Sequence, residues 1–214
     1  MLAQNTMKTT SQLSDALEQI SRIHGHLEKN EIYRGYRPIP IGIAAVAGIA
    51  AAALQSVLVQ RLNGASFLAY WFVVGILCAA ISSSEILFNY AFREDSTARR
   101  KSRLATGQFL PCLVAAAGVT AAVWYLPQYI PLLPGLWAVL FGLGVFASRP
   151  CLPRAIGWVA LYYVCIGWWL LLHSGDADAL SGWRVGGVFG AGQLGWALVL
   201  YWNVERKNAA YANE

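Results

Sequence analysis

The sequence predicts an all-α, polytopic membrane protein: six transmembrane helices preceded by a cytoplasmic amphipathic helix. Three observations carry the prediction. Of 214 residues, 57% are hydrophobic and 13% charged, whereas soluble domains hold about 25% charged residues. The apolar residues fall into runs of about 20, the length that crosses a hydrocarbon core of about 30 Å at helical rise. Basic residues gather at alternate ends of those runs rather than on one polar face.

The net charge of +5 is therefore explained by membrane orientation, and direct nucleic-acid binding is not expected. Cys78, Cys112, Cys151 and Cys165 have no paired CxxC spacing, and three of them lie inside apolar runs. No disulfide framework, zinc site or other cofactor follows from them.

The first 33 residues form a cytoplasmic segment in this reading. Met1 to Thr9 lacks the charged-then-apolar pattern of a signal peptide. From about Thr10 to Asn30, Leu13, Ala16, Leu17, Ile20, Ile23 and Leu27 recur at helical spacing, with Asp15, Glu18, Arg22 and Glu28 elsewhere on the cylinder. Mixed charge and modest apolar residues suit packing on protein, a partner or a second copy, better than deep burial in lipid.

Residues 34–207 hold the six crossings, and 208–214 form a cytoplasmic tail. Tyr33, Arg34, Tyr36 and Arg37 suit the headgroup layer, and Pro38 and Pro40 are tolerated in a first helical turn. The first crossing runs from there to about Gln60, with Ala44, Gly48 and Ala52 as a small-residue stripe that admits a close neighbour. The second spans about Phe67 to Phe92 and ends at a basic loop, Arg93 to Arg103. The third spans about Leu104 to Leu126. The fourth, about Pro134 to Ser148, is short, and either thins the bilayer or recruits Ile130 to Leu133 into its start. The fifth covers about Ala155 to Leu172, a loop from His173 to Gly182 follows, and the sixth covers about Trp183 to Val204. No convincing inverted repeat, the sequence sign of many secondary transporters, is present.

Loop charges set the expected topology. Arg34, Arg37, Arg93, Arg99, Arg100, Lys101, Arg103, Arg149, Arg154, Arg206 and Lys207 fall on one side and only Arg61 and Arg184 on the other. Both termini are then cytoplasmic. Trp71, Trp124, Trp137, Trp168, Trp169 and Trp183 fall near outer ends and Trp158 and Trp202 near inner ends, as interfacial belts.

The candidate polar intramembrane site is Glu85, Asn89, Gln108 and Gln193. A carboxylate at that depth is costly, and so is a functional hypothesis by default, but a structural Glu85 paired with a snorkelling arginine or a facing glutamine is the blander and favoured alternative. Gln108 and Gln193 have the same bland role as glue between helices. Gly182, Gly186 and Gly190, and beside them Gly187, Ala191 and Gly195, form two stripes suited to close packing. His24 and His26 fall on different helix faces, Asp176 and Asp178 sit in a short loop without a catalytic domain, and Ser82 to Ser84 have no histidine beside them. No nucleophile with its base and no phosphate-cradling loop is present, so no enzyme is expected.

Ile23 to Glu28, Tyr33 to Arg37, Ser84 to Ile86, Gly107 to Cys112, Leu133 to Trp137 with Phe141 to Gly144, and Tyr201 to Asn203 together resemble a family of uncharacterised bacterial inner-membrane proteins. The similarity covers about Leu13 to Lys207, and the Leu-Pro-Gly-Leu-Trp segment is its most specific part. The resemblance implies six crossings and a bacterial inner membrane, with no activity to carry over.

Two functional expectations result. One is a non-enzymatic anchoring, sensing or complex-forming module, whose cytoplasmic partner surface is Leu13, Leu17, Ile20, Leu27, Arg99, Arg100, Lys101 and Arg103. The other is a small transporter or channel around Glu85. Membrane lipid is a partner in both.

Overall fold

The computed structural model describes residues 38–58, 63–92, 96–149 and 152–202. Among them every regular element is helical: α1 (Pro38–Leu58), α2 (Gly64–Phe92), α3 (Ser96–Trp124), a 3-10 segment (Pro127–Leu132), α4 (Leu133–Ala147), α5 (Ile156–Leu172), a π-helical turn (Trp183–Gly187) and α6 (Val188–Leu200). The expected N-terminal helix with Leu13, Leu17, Ile20 and Leu27 lies outside the described residues.

Four stretches are long and apolar enough to cross a membrane: Pro38–Val57, Gly64–Ser84, Thr106–Trp124 and Pro127–Ala147. The fourth does recruit the residues before Pro134. Pro127 and Pro131 hold a 3-10 segment that leads directly into α4, because proline's fixed φ suits a helical turn while its missing N–H is no loss at a helix start.

The basic run is a helix, not a loop, from Ser96 onward. Ala, Arg, Lys and Leu are strong helix formers and no glycine or proline intervenes before Gly107. α3 therefore carries the basic residues and the crossing in one continuous helix of 29 residues, with Pro111 inside it.

The helices neighbour one another in the order α2, α1, α6, α5, α4, α3, and α2 meets α3 only sparsely. Lipid removes the hydrophobic drive between helices, so close packing and polar pairing decide which faces meet. Glycines make the closest approaches. A Cβ on Gly186 would collide with the Gly48 carbonyl and would lie 2.8 Å from the Ala52 Cβ, and one on Gly190 would collide with Ile49. The Gly48 and Ala52 stripe thus receives the Gly182, Gly186 and Gly190 stripe. The second stripe is used differently: Ala191 is exposed, and a Cβ on Gly195 would only reach ordinary contact with Val159, at 3.9 Å. In α4 and α5, a Cβ on Gly135 would lie 2.8 Å from the Gly167 carbonyl, and one on Gly142 3.0 Å from the Ala160 carbonyl.

Between the helices, Phe141 is the hub of an aromatic cluster, 4.9 Å from Tyr163, 5.2 Å from Phe109 and 5.5 Å from Phe189 between ring centroids. The buried Tyr163 donates its hydroxyl to the Phe189 carbonyl at 3.0 Å, and Tyr162 donates to the Val188 carbonyl at 3.1 Å, which ties α5 to the first turn of α6. Trp71 and Trp137 are not belt residues. Trp71 is buried, and the Trp137 indole donates to Thr120 Oγ1 at 2.8 Å, joining α4 to α3. Trp124, Trp158, Trp168, Trp169, Trp183 and Trp202 are exposed.

The close approaches generate a contrast that thermal unfolding in detergent can check. Gly186→Ala places a methyl group against backbone that cannot yield and should cost about 1–3 kcal/mol. Gly75→Ala enters open space and should be neutral or stabilising by up to about 1 kcal/mol. Equal effects at the two positions would contradict the packing.

Candidate functional site

The best-defined polar constellation lies where α1 and α5 end and α2 and α6 begin. Gln55, near the end of α1, is 5% exposed. Its Oε1 accepts the Trp71 indole N–H at 2.8 Å, and its Nε2 donates to the Leu180 carbonyl at 2.9 Å. A buried amide needs such partners, and Gln55 uses them to join α1, α2 and the loop before α6. Tyr70 adds a hydrogen bond from its hydroxyl to the Ala51 carbonyl at 2.6 Å.

Arg184 is the second centre. It sits in the π-helical turn at 8% exposure and closes the loop that precedes it. Its Nη1 donates to the His173 carbonyl at 2.6 Å, and its Nη2 donates to Asp176 Oδ2 at 2.8 Å and Asp178 Oδ1 at 2.7 Å. The guanidinium carbon lies 5.9 Å from the Trp169 ring centroid, within cation–π range, and His173 stacks on the same indole at 4.6 Å. A buried arginine is tolerated when its charge and its donors find partners. Two carboxylates spaced as Asp-x-Asp, followed within two helical turns by an arginine, were the available sequence signal. Sequence reasoning used Arg184 only as a topology charge and missed its role.

Beside this network, a cleft of about 470 Å³ opens between the start of α2, the end of α3 and the 3-10 segment. Leu68, Trp124, Ile130 and Leu180 line it with the amides Asn63 and Gln128. Asn63 caps α2, its Oδ1 accepting the Ser66 N–H at 2.8 Å.

The residues expected to form an intramembrane site lie on three helices, α2, α3 and α6. Glu85 and Asn89 lie on α2, and Arg99, Arg100 and Lys101 on α3, with side chains outside the described residues. Gln108 is half-buried on α3, next to Phe109, whose ring fills the space at Gly144 of α4. Gln193 is half-buried on α6, between Gly190, which abuts Ile49 and the Ala45 carbonyl, and Ala197, whose Cβ lies 4.0 Å from a Cβ built on Gly42. It therefore lies on the face turned to α1. The Gln193 Oε1 is buried without a hydrogen-bond partner, as is Ser82 Oγ on α2. One turn before Ser82, Cys78 donates to the Ala44 carbonyl at 3.5 Å, so both orphan oxygens border α1, one from each neighbouring helix. The cleft beside Gln55 includes none of Ser82, Gln108 and Gln193. Arg103, the described member of the basic run, is exposed.

No family model, curated protein or solved structure matches the chain.

Chemically, the Gln55 and Arg184 centres are occupied by their own partners and act as clasps. Their energetics can be separated by a double-mutant cycle. Asp176 and Asp178 are 47% and 68% exposed, so either Asp→Asn change alone should cost under about 1 kcal/mol. The double change, which leaves a buried guanidinium with no carboxylate beside it, should cost more than the sum. Thermal unfolding of the four proteins checks this, and strict additivity would contradict it.

Proposed function

We propose that the chain is a non-enzymatic integral membrane protein of the bacterial inner membrane, with six crossings and both termini cytoplasmic. It serves as an anchoring, sensing or complex-forming module for a cytoplasmic partner. The observation that carries this reading is the character of the interior. Among the described residues the polar and charged side chains buried as a whole are Gln55, Ser148 and Arg184, all at helix ends, while small and aromatic residues fill the middle beside the half-buried Ser82 and Gln193. Such an interior suits a rigid scaffold. The 17 residues of α5 and the continuous run from Trp183 through α6 reach the lower limit for a crossing, about 17 residues, which supports six crossings rather than four. The loop charges support the orientation, and the resemblance to bacterial inner-membrane proteins supports the compartment. The partner surface in this reading is Leu13, Leu17, Ile20 and Leu27 with Arg99, Arg100, Lys101 and Arg103.

A second reading, a small transporter or channel around Glu85, Asn89, Gln108 and Gln193, is favoured by one observation, the unpartnered oxygens of Ser82 and Gln193. An orphan acceptor in the interior costs about 1–3 kcal/mol, and a passing ion or a water would relieve it.

One measurement tests the orientation and a second separates the readings. A cysteine placed at Ser174 should react with an impermeant maleimide on intact cells, and one at Ser102 should not; the reverse pattern would invert the orientation. In proteoliposomes, proton and cation leakage through the wild type should be at the level of empty vesicles and unchanged by Glu85→Gln or Gln193→Leu. Flux through the wild type that either variant abolishes would replace the scaffold with the transporter.

A further inference from the structure

The basic end of α3 is a rigid arm whose position follows from helix continuity. At about 1.5 Å per residue the 29 residues of α3 extend about 43 Å, well beyond a hydrocarbon core of about 30 Å. The apolar part, Thr106–Trp124, fills that core, so Ser96 to Ala105 emerges from it still helical. Arg103 stands about 4.5 Å along the axis from the apolar edge, inside a headgroup layer about 5–8 Å thick, and Arg99 about 10 Å from that edge, a few ångström past the layer and within a Debye length of about 8 Å of it at physiological salt. Helical periodicity puts Arg99, Arg100 and Arg103 inside an arc of about 100°. No acidic residue occurs anywhere in α3 to neutralise them. Pro111 lacks the N–H that would reach the Gly107 carbonyl, and Gly107 has open space around it.

We propose that this arm is an anionic-lipid binding element: Arg99, Arg100 and Arg103 engage the phosphates of acidic headgroups in the leaflet from which α3 emerges. The inference rests on reading the chain as membrane-spanning, and it assigns the basic part of the partner surface to lipid instead of protein. Charge complementarity carries it, since a helix end with four basic residues and no carboxylate of its own, emerging at headgroup depth, meets acidic lipid before it can meet any soluble partner.

Native mass spectrometry of the full-length protein in neutral detergent, titrated with phosphatidylglycerol or chain-matched phosphatidylcholine, tests the assignment. The wild type should retain phosphatidylglycerol with a preference of about tenfold, weakened by added salt. Arg99→Gln/Arg100→Gln/Arg103→Gln should reduce the preference to within about twofold. The corresponding triple Arg→Lys variant should keep most of it. An unchanged thermal transition in both variants shows that the fold is intact. Equal retention of the two lipids by the wild type would overturn the proposal, as would a preference that survives the triple Arg→Gln change. Release of the chain from membranes by alkaline carbonate would instead overturn the membrane reading beneath it.

Discussion

Backbone proximity between α1 and the segment that opens α6 is the constraint on which the rest of the structure depends. Gly48 and Ala52 present almost no side chain, and Gly182, Gly186 and Gly190 present none, so the two backbones meet where larger residues would hold them apart. In hydrocarbon this matters more than apolar burial, because lipid solvates an exposed leucine as well as a neighbouring helix does. Once the two backbones are this close, the Gln55 amide reaches the Leu180 carbonyl and the indole of Trp71. The placement of α2 therefore follows from that of α1 and α6.

The same logic explains where the polar groups sit. The π-helical turn places Gly186 against α1 and Arg184 beneath the loop that precedes it. A wider helical turn of this kind is rare and often marks a site under special demand. Here the demand is to combine a glycine face with a buried cation within three residues, Arg184 to Gly186. The α4 and α5 pair repeats the glycine solution through Gly135, Gly142 and Gly167, and the aromatic cluster around Phe141 fills the space between the two pairs. α3 has the least cover, with 6% of its apolar stretch buried, and it is also the helix that carries the basic arm.

Much of this architecture was legible in the sequence because its signals are local. Run length and loop charge marked the helical segments, and small-residue spacing marked Gly48 and Ala52, and separately Gly182, Gly186 and Gly190, as close-packing stripes; that the two stripes meet each other is visible only in the structure. What was not legible depends on partners distant in the chain. Trp71 has the position of a belt tryptophan, and only the approach of Gln55 makes it a core residue. Arg184 looks like a lone charge at a helix start until the loop folds back and brings Asp176 and Asp178 to it. The basic run looked like a loop because charge at the end of a crossing suggests termination, yet its residues are strong helix formers with no breaker before Gly107. For the polar positions, sequence depth places Gln108 and Gln193 on their helices, but not the neighbours each meets: α3 packs on α4, while Gln193 borders α1.

The approach of α1 to α6 is also the feature most open to direct measurement. A Cβ built on Gly42 lies 4.0 Å from the Cβ of Ala197, within the Cβ separation of about 3.5–4.5 Å that a disulfide requires. In a background with all four native cysteines replaced, Gly42→Cys/Ala197→Cys should oxidise in membranes to an intramolecular crosslink, detected as a protease-nicked chain that stays joined until reduced. A control pair at Gly75 and Gly118, which both face open space, should not crosslink within the chain. Failure of the first pair under conditions that oxidise accessible thiols, or crosslinking only between separate copies of the chain, would contradict the packing of α1 on α6.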